Sequence, residues 1–268
     1  MKFRKRVVLF AACGALAACG GAGSLPTGNN PGAPTTNPDG SVDLPGNPVD
    51  PGSGTTKPDQ QAESTSLWPL TTGSTWTYRI TDPANGVFNK VVTVRGPETV
   101  PDTSMTAVKV HSKQDRTATT GTVYEENSWQ LELTNGLVVR LREEDVTDGL
   151  PTKTTTWSPA MMKSLSATPA SVPWEHQDKV RELITYSAGG TEGKEPVYVW
   201  KVLEKDVTVT TPAGTFTNAI KVQRDKLNKS GEVKEEKQRL YWLVPGVGKV
   251  REEGERTEEL VSYDVKKP

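Results

Sequence analysis

The chain has 268 residues, with 32 basic side chains against 33 acidic, two cysteines and two histidines. Charges of both signs are interspersed, so no basic stripe exists to track a phosphate backbone, and no nucleic-acid partner is expected. Both cysteines lie at or before position 19, which leaves everything downstream without a thiol, a disulfide or a thiolate metal site; stability there must come from a packed core.

In chain order, Lys2, Arg4, Lys5 and Arg6 precede an uncharged run from Val7 to Ala18. Such a run is too short to span a bilayer, which takes roughly twenty residues, but it suits the core of a secretion signal. It ends in Leu16-Ala17-Ala18-Cys19-Gly20, which resembles the lipobox of bacterial lipoproteins. The resemblance implies cleavage between Ala18 and Cys19, diacylglycerol on the Cys19 sulfur, and a partner that is the membrane itself, reached through acyl chains. At about 0.8 kcal/mol per buried methylene, two or three chains hold a protein at the bilayer. Gly20 stands where some bacteria place an inner-membrane retention aspartate, so the outer membrane is favoured if the host has two. Without residues 1–18 the count is 28 basic against 33 acidic, a net charge of −5.

Residues 19–66 read as the lipidated cysteine followed by a disordered tether. Eight prolines and nine glycines fall between Gly20 and Ser66, with no apolar period to bury. As a flexible coil this tether reaches roughly 40 Å.

The folded part spans 67–268 and reads as all-β, mostly antiparallel: a curved sheet, a half-barrel or a β-sandwich. Trp76, Tyr78 and Ile80 alternate with Thr75, Thr77 and Arg79, the period of a half-buried strand. Further strands are expected over 87–95, 106–113, 122–126, 129–133 and 137–142, with Asn135-Gly136 as a hairpin turn. Residues 145–178 are rich in Thr, Ser and Pro and read as a long crossover, with a short helix at Ser158–Leu165. Strand-rich stretches return at 179–187, 196–209, 216–226, 232–244 and 255–266.

Two echoes lie about 110 residues apart. Thr106-Ala107-Val108-Lys109-Val110 matches Asn218-Ala219-Ile220-Lys221-Val222, and Leu141-Arg142-Glu143-Glu144 matches Val250-Arg251-Glu252-Glu253. Duplication of a β-meander and chance likeness between alternating strands both account for them. The segments Trp68 to Tyr78, Pro212 to Phe216 and Tyr241 to Gly248 also resemble a loose group of bacterial envelope lipoproteins. That resemblance implies a curved antiparallel sheet or sandwich, and no activity.

Chemistry-bearing patterns are sparse. His111 and His176 have no second ligand at metal spacing, and no cofactor or metal is expected. No nucleophile elbow or phosphate loop is present. Acids come in adjacent pairs, and neighbours in a strand face opposite sides, so each pair offers one carboxylate to a given surface; they read as solvated strand faces. Of seven tryptophans, Trp157 and Trp174 fall in the crossover, where their rings could cover a groove or stack on a ligand. The resulting expectation is a non-enzymatic, lipid-anchored envelope domain that binds a protein or an apolar ligand on one sheet face. A periplasmic carrier of a lipid or apolar ligand, an assembly scaffold and a hydrolase without a visible motif are the alternatives.

Overall fold

The computed structural model describes residues 65–267. The leader, the Ala18–Cys19 junction and the tether up to residue 64 lie outside the described residues. A first run of antiparallel neighbours comprises β1 (Thr75–Asp82), β2 (Gly86–Thr99), β3 (Thr106–Arg116), β4 (Thr122–Glu132), β5 (Leu137–Thr147) and β6 (Leu150–Leu165). Three short strands follow, β7 (Trp174–Lys179), β8 (Arg181–Tyr186) and β9 (Thr191–Lys194). The second run is β10 (Val197–Thr211), β11 (Gly214–Leu227), β12 (Arg239–Val244), β13 (Gly248–Glu253) and β14 (Thr257–Asp264). All belong to one sheet, ordered β7-β10-β11-β12-β13-β14-β1-β2-β3-β4-β5-β6-β8-β9. The expected all-β class is therefore met by a single curved antiparallel sheet that does not close into a barrel.

One stretch of chain nevertheless ties its ends together. β7 pairs with β10 and β8 pairs with β6, and only Val180 separates β7 from β8. The Met162 amide also donates to Asp178 Oδ2 at 2.6 Å. This curvature lets Met161, Met162 and Leu165 of β6 pack with Trp200 and Val202 of β10 and with Val222 of β11. Each such side chain contributes roughly 1.5–3 kcal/mol on burial. The segment before β1 crosses one end of this core. The Leu67 amide donates to the Ser166 carbonyl at 2.8 Å, the Gly246 amide donates to the Ser66 carbonyl at 2.9 Å, and Leu67 is fully buried.

The two runs repeat one another. Lys109, Trp129 and Arg142 lie side by side on β3, β4 and β5, and Lys221, Trp242 and Arg251 do so on β11, β12 and β13. In both rows the lysine and the arginine sit over the indole, 5.2 to 5.8 Å from its centroid. Both rows also contain the same irregularity. Trp129 pairs with Arg142 while Gln130 pairs with Arg140, leaving Leu141 as an extra residue; Trp242 pairs with Arg251 while Leu243 pairs with Lys249, leaving Val250 as the extra one. A bulge breaks the strict alternation of faces. It turns Arg142 and Arg251 toward the indoles and returns Arg140 and Lys249 to the opposite face, where each meets an acid three residues on, Glu143 and Glu252.

The region 145–178 differs from the expected crossover. Residues 150–165 form β6, with 16 residues the longest strand, and no helix occurs at Ser158–Leu165. Only 166–173 connect β6 to β7 without strand structure. Thr152, Thr154, Thr155 and Thr156 look like loop residues by polarity, but their branched side chains suit a strand. Pro159 is accommodated because pairing with β5 jumps from Arg142–Thr156 to Arg140–Met161, so it falls in a bulge where no ladder bond is required.

Candidate functional site

The concave face of β1–β4 and β13 meets the end of β6 under the Trp68-Pro69-Leu70 segment, leaving a cavity of about 70 Å³. Its walls follow from strand alternation. Trp76 on β1, Val92 and Val94 on β2 and Val110 on β3 make one side apolar. Lys90, Glu126, Lys163 and Lys249 bring charge into the same space. Trp68 forms the cover: its indole Nε1 donates to Gln130 Oε1 at 2.8 Å, and its ring centroid lies 5.8 Å from Lys163 Nζ. Trp76 is held by its own Nε1, which donates to the Val247 carbonyl at 2.6 Å.

Most of the interior charge is compensated. Glu258, 1% exposed, accepts from Lys249 at 2.7 Å, from Lys90 at 3.2 Å and from Arg256 at 2.6 Å. Burial alone would push its carboxyl up; the three cations, Lys249 foremost, outweigh that and hold it well below the usual carboxylate range. Glu252 accepts from Arg239 at 2.9 Å and also contacts Lys249. Burial would lower Lys249, but Glu252 and Glu258 together drive it upward and keep it charged. On the other side Arg140 pairs with Glu143 and, at 3.4 Å, with Glu126, and stacks on Trp157 at 4.4 Å.

Lys163 is different. Among the described residues its ammonium has no ion-pair partner, only the indole of Trp68. Burial pushes its pKa down to about 7, helped by repulsion from Arg140, Lys90 and Lys249 and only partly opposed by Glu126. Ser112 on β3 is the second unspent group. It is 6% exposed, lines the same cavity, and its hydroxyl has no hydrogen-bond partner among the described residues. Neighbouring Ser128, by contrast, accepts from Gln130 Nε2 at 3.1 Å.

The residues singled out from sequence lie elsewhere. Trp157 is buried in β6, its Nε1 donating to Glu182 Oε2 at 3.3 Å, so it belongs to the core and not to a ligand-covering loop. Trp174 opens β7, packs against the same core and stacks on His176 at 6.1 Å. His176 is hydrogen-bonded to Asp178 at 3.0 Å, and His111 lies 3.5 Å from Glu125. Neither histidine lines the cavity. Glu126, Glu143 and Asp145 bring carboxylate oxygens within 4.8 Å of one another, the spacing a metal ion would need. Arg140 pairs with Glu126 and Glu143, and Lys153 lies 2.6 Å from Asp145, so two cations offset part of the charge of these three carboxylates.

No family model matches the chain, and no curated protein matches it. Two solved structures are similar. A candidate lipoprotein from Parabacteroides distasonis ATCC 8503 has 15% identity and a TM-score of 0.35, covering 76% of this chain and 100% of that one. A candidate exported protein with a YmcC-like fold from Bacteroides fragilis NCTC 9343 has 11% identity and a TM-score of 0.38, covering 75% of this chain and 99% of that one.

Proposed function

We propose that this is a lipid-anchored protein of the bacterial envelope, at the outer membrane where the host has two, whose β-domain is a non-enzymatic binding module with the cavity under Trp68 as its ligand site. The lipobox-like Leu16-Ala17-Ala18-Cys19 supports the placement. The cavity carries the binding reading. It is where an apolar wall meets polar groups that the fold leaves unpartnered, the combination that small-molecule sites share. The interior acids are taken up by cations, which counts against a carboxylate acid–base pair of the glycosidase kind.

The test uses the full chain expressed in a bacterial host. The native protein is expected in the membrane fraction, released only by detergent, and Cys19→Ser is expected in the soluble fraction; a Cys19→Ser chain that stays membrane-bound overturns the anchoring. Native mass spectrometry of the lipidated chain in a non-ionic detergent reads the cavity. A reproducible added mass beyond the acyl chains, lost on Trp68→Ala, supports the site. An added mass that survives Trp68→Ala places binding elsewhere and overturns it.

A further inference from the structure

The interior is not electrically balanced around Lys163. Glu258 and Glu252 are committed to Lys249, Lys90, Arg256 and Arg239, and Glu126 is shared with Arg140. Lys163 on β6 faces Glu126 of β4 as its strongest opposing charge, with Arg140 of β5, Lys90 of β2 and Lys249 of β13 repelling it. Trp68 covers it from the segment before β1 and adds no charge. An anion between these groups relieves a repulsion that the protein leaves standing. Ser112 points to the same conclusion independently. A hydroxyl buried without a partner is destabilising, and a bound acceptor removes that cost.

Resting on the cavity being the ligand site, we infer that it binds a short-chain monocarboxylate, the carboxylate held by Lys163 Nζ and Ser112 Oγ and the alkyl end lodged against Val92, Val94 and Val110. The walls favour a carboxylate over an inorganic oxyanion, because phosphate has no apolar part to bury there. The size limits the length: about 70 Å³ is under half of the roughly 150 Å³ that encloses a six-carbon ring and well short of the several hundred Å³ that drug-sized ligands occupy, so an acyl chain of membrane length does not fit.

Binding requires the lysine as ammonium. With a pKa near 7 the competent fraction falls about tenfold between pH 6 and pH 8, and affinity falls with it, butyrate itself being ionised throughout.

The experiment titrates the full lipidated chain, in non-ionic detergent, with butyrate, butyramide and inorganic phosphate. Calorimetry reads the affinity, and a tryptophan fluorescence change that is lost in Trp68→Phe reads the location. Butyrate is expected to bind about tenfold tighter at pH 6 than at pH 8, and at least tenfold tighter than butyramide. Lys163→Met is expected to lose at least tenfold and to abolish the pH dependence. Ser112→Ala is expected to lose roughly tenfold, the weight of a hydrogen bond to a charged group. If Lys163→Met does not fold, the pH series on the native chain decides alone. Butyramide binding as well as butyrate, phosphate binding better, or a flat pH profile each overturn the carboxylate assignment and leave the cavity as a binding site. No heat and no fluorescence change with any probe, together with no added mass in native spectrometry, overturn both.

Discussion

The two strand runs are built on one plan, and they end differently. In each, a lysine–indole–arginine row crosses three strands, a one-residue bulge follows at Leu141 or Val250, and an inward cation meets an acid three residues on. The strand that comes next decides the electrostatics. β14 supplies Glu258, which gathers Lys249, Lys90 and Arg256. β6 supplies Lys163, a further cation beside Arg140 that has no ion-pair partner among the described residues. A repeated scaffold thus closes its charge on one side and leaves it open on the other, and the open side borders the cavity.

The largest test of this comparison falls on the closed side. Glu258→Ala removes the acid common to buried Lys249 and partly buried Lys90 and Arg256, and leaving buried charge uncompensated typically costs about 3–5 kcal/mol. Urea denaturation should show a loss of that size. A loss below about 1 kcal/mol would mean that water reaches Lys249 and Lys90 freely and that the two sides do not differ.

Next is the open side, read through pH. The folded pKa of Lys163 near 7 lies below its ordinary 10.5, so between those values the unfolded chain holds a proton that the folded chain lacks. Stability attributable to this group therefore rises with pH across that window, and the penalty is fully present below about pH 7. Partial exposure reduces it to on the order of 2 kcal/mol. Lys163→Met should raise the melting temperature at pH 6 and leave it nearly unchanged at pH 10.5. Equal shifts at both values would show that packing, and not charge, sets the difference.

How much of this was readable in sequence depends on what each feature rests on. The period of two at Trp76-Tyr78-Ile80 gave β1 directly, and the Asn135-Gly136 turn marked the β4–β5 hairpin. β6 was hidden because Thr and Ser serve loops and strands alike, and only pairing with β5 and β8 on either side makes them a strand. The paired acids point to opposite faces as strand alternation predicts, but the two faces are not both solvated. Glu252 and Glu258 are buried, since a curved sheet turns one face into an interior. The echo at 109 residues held the best clue to that interior: with a bulge at Leu141 and Val250, spacing of three in Arg140–Glu143 and Lys249–Glu252 becomes same-face spacing. Lys163 and Ser112 carried no sequence signal, because being unpartnered is a property of the assembled fold alone.

The bulge residues themselves differ in depth. Val250 is fully buried, whereas Leu141 packs only partly beneath Val100, Ala107 and Trp129. Val250→Ala should cost about 1.5 kcal/mol and Leu141→Ala about half that, despite the larger side chain removed, because cost follows burial. The reversed order would show that the first bulge, and not the second, is the one that fixes the sheet.

The smallest effects belong to the rows the two runs share. Lys109 lies 5.2 Å from the Trp129 centroid and Lys221 lies 5.5 Å from that of Trp242, and each also approaches an acid, Glu98 at 3.3 Å and Glu204 at 3.7 Å. A cation over an indole at a partly exposed position is worth about 0.5–1 kcal/mol, and the accompanying ion pairs add little. Lys109→Ala and Lys221→Ala should therefore each cost about 0.5 kcal/mol, equal within error and weakly dependent on salt. Equality is the informative result, since it would locate the whole functional difference between the runs on the concave side. A gap of more than about 1 kcal/mol would mean that the convex rows have diverged as well, and the search for a second surface would begin at whichever lysine costs more.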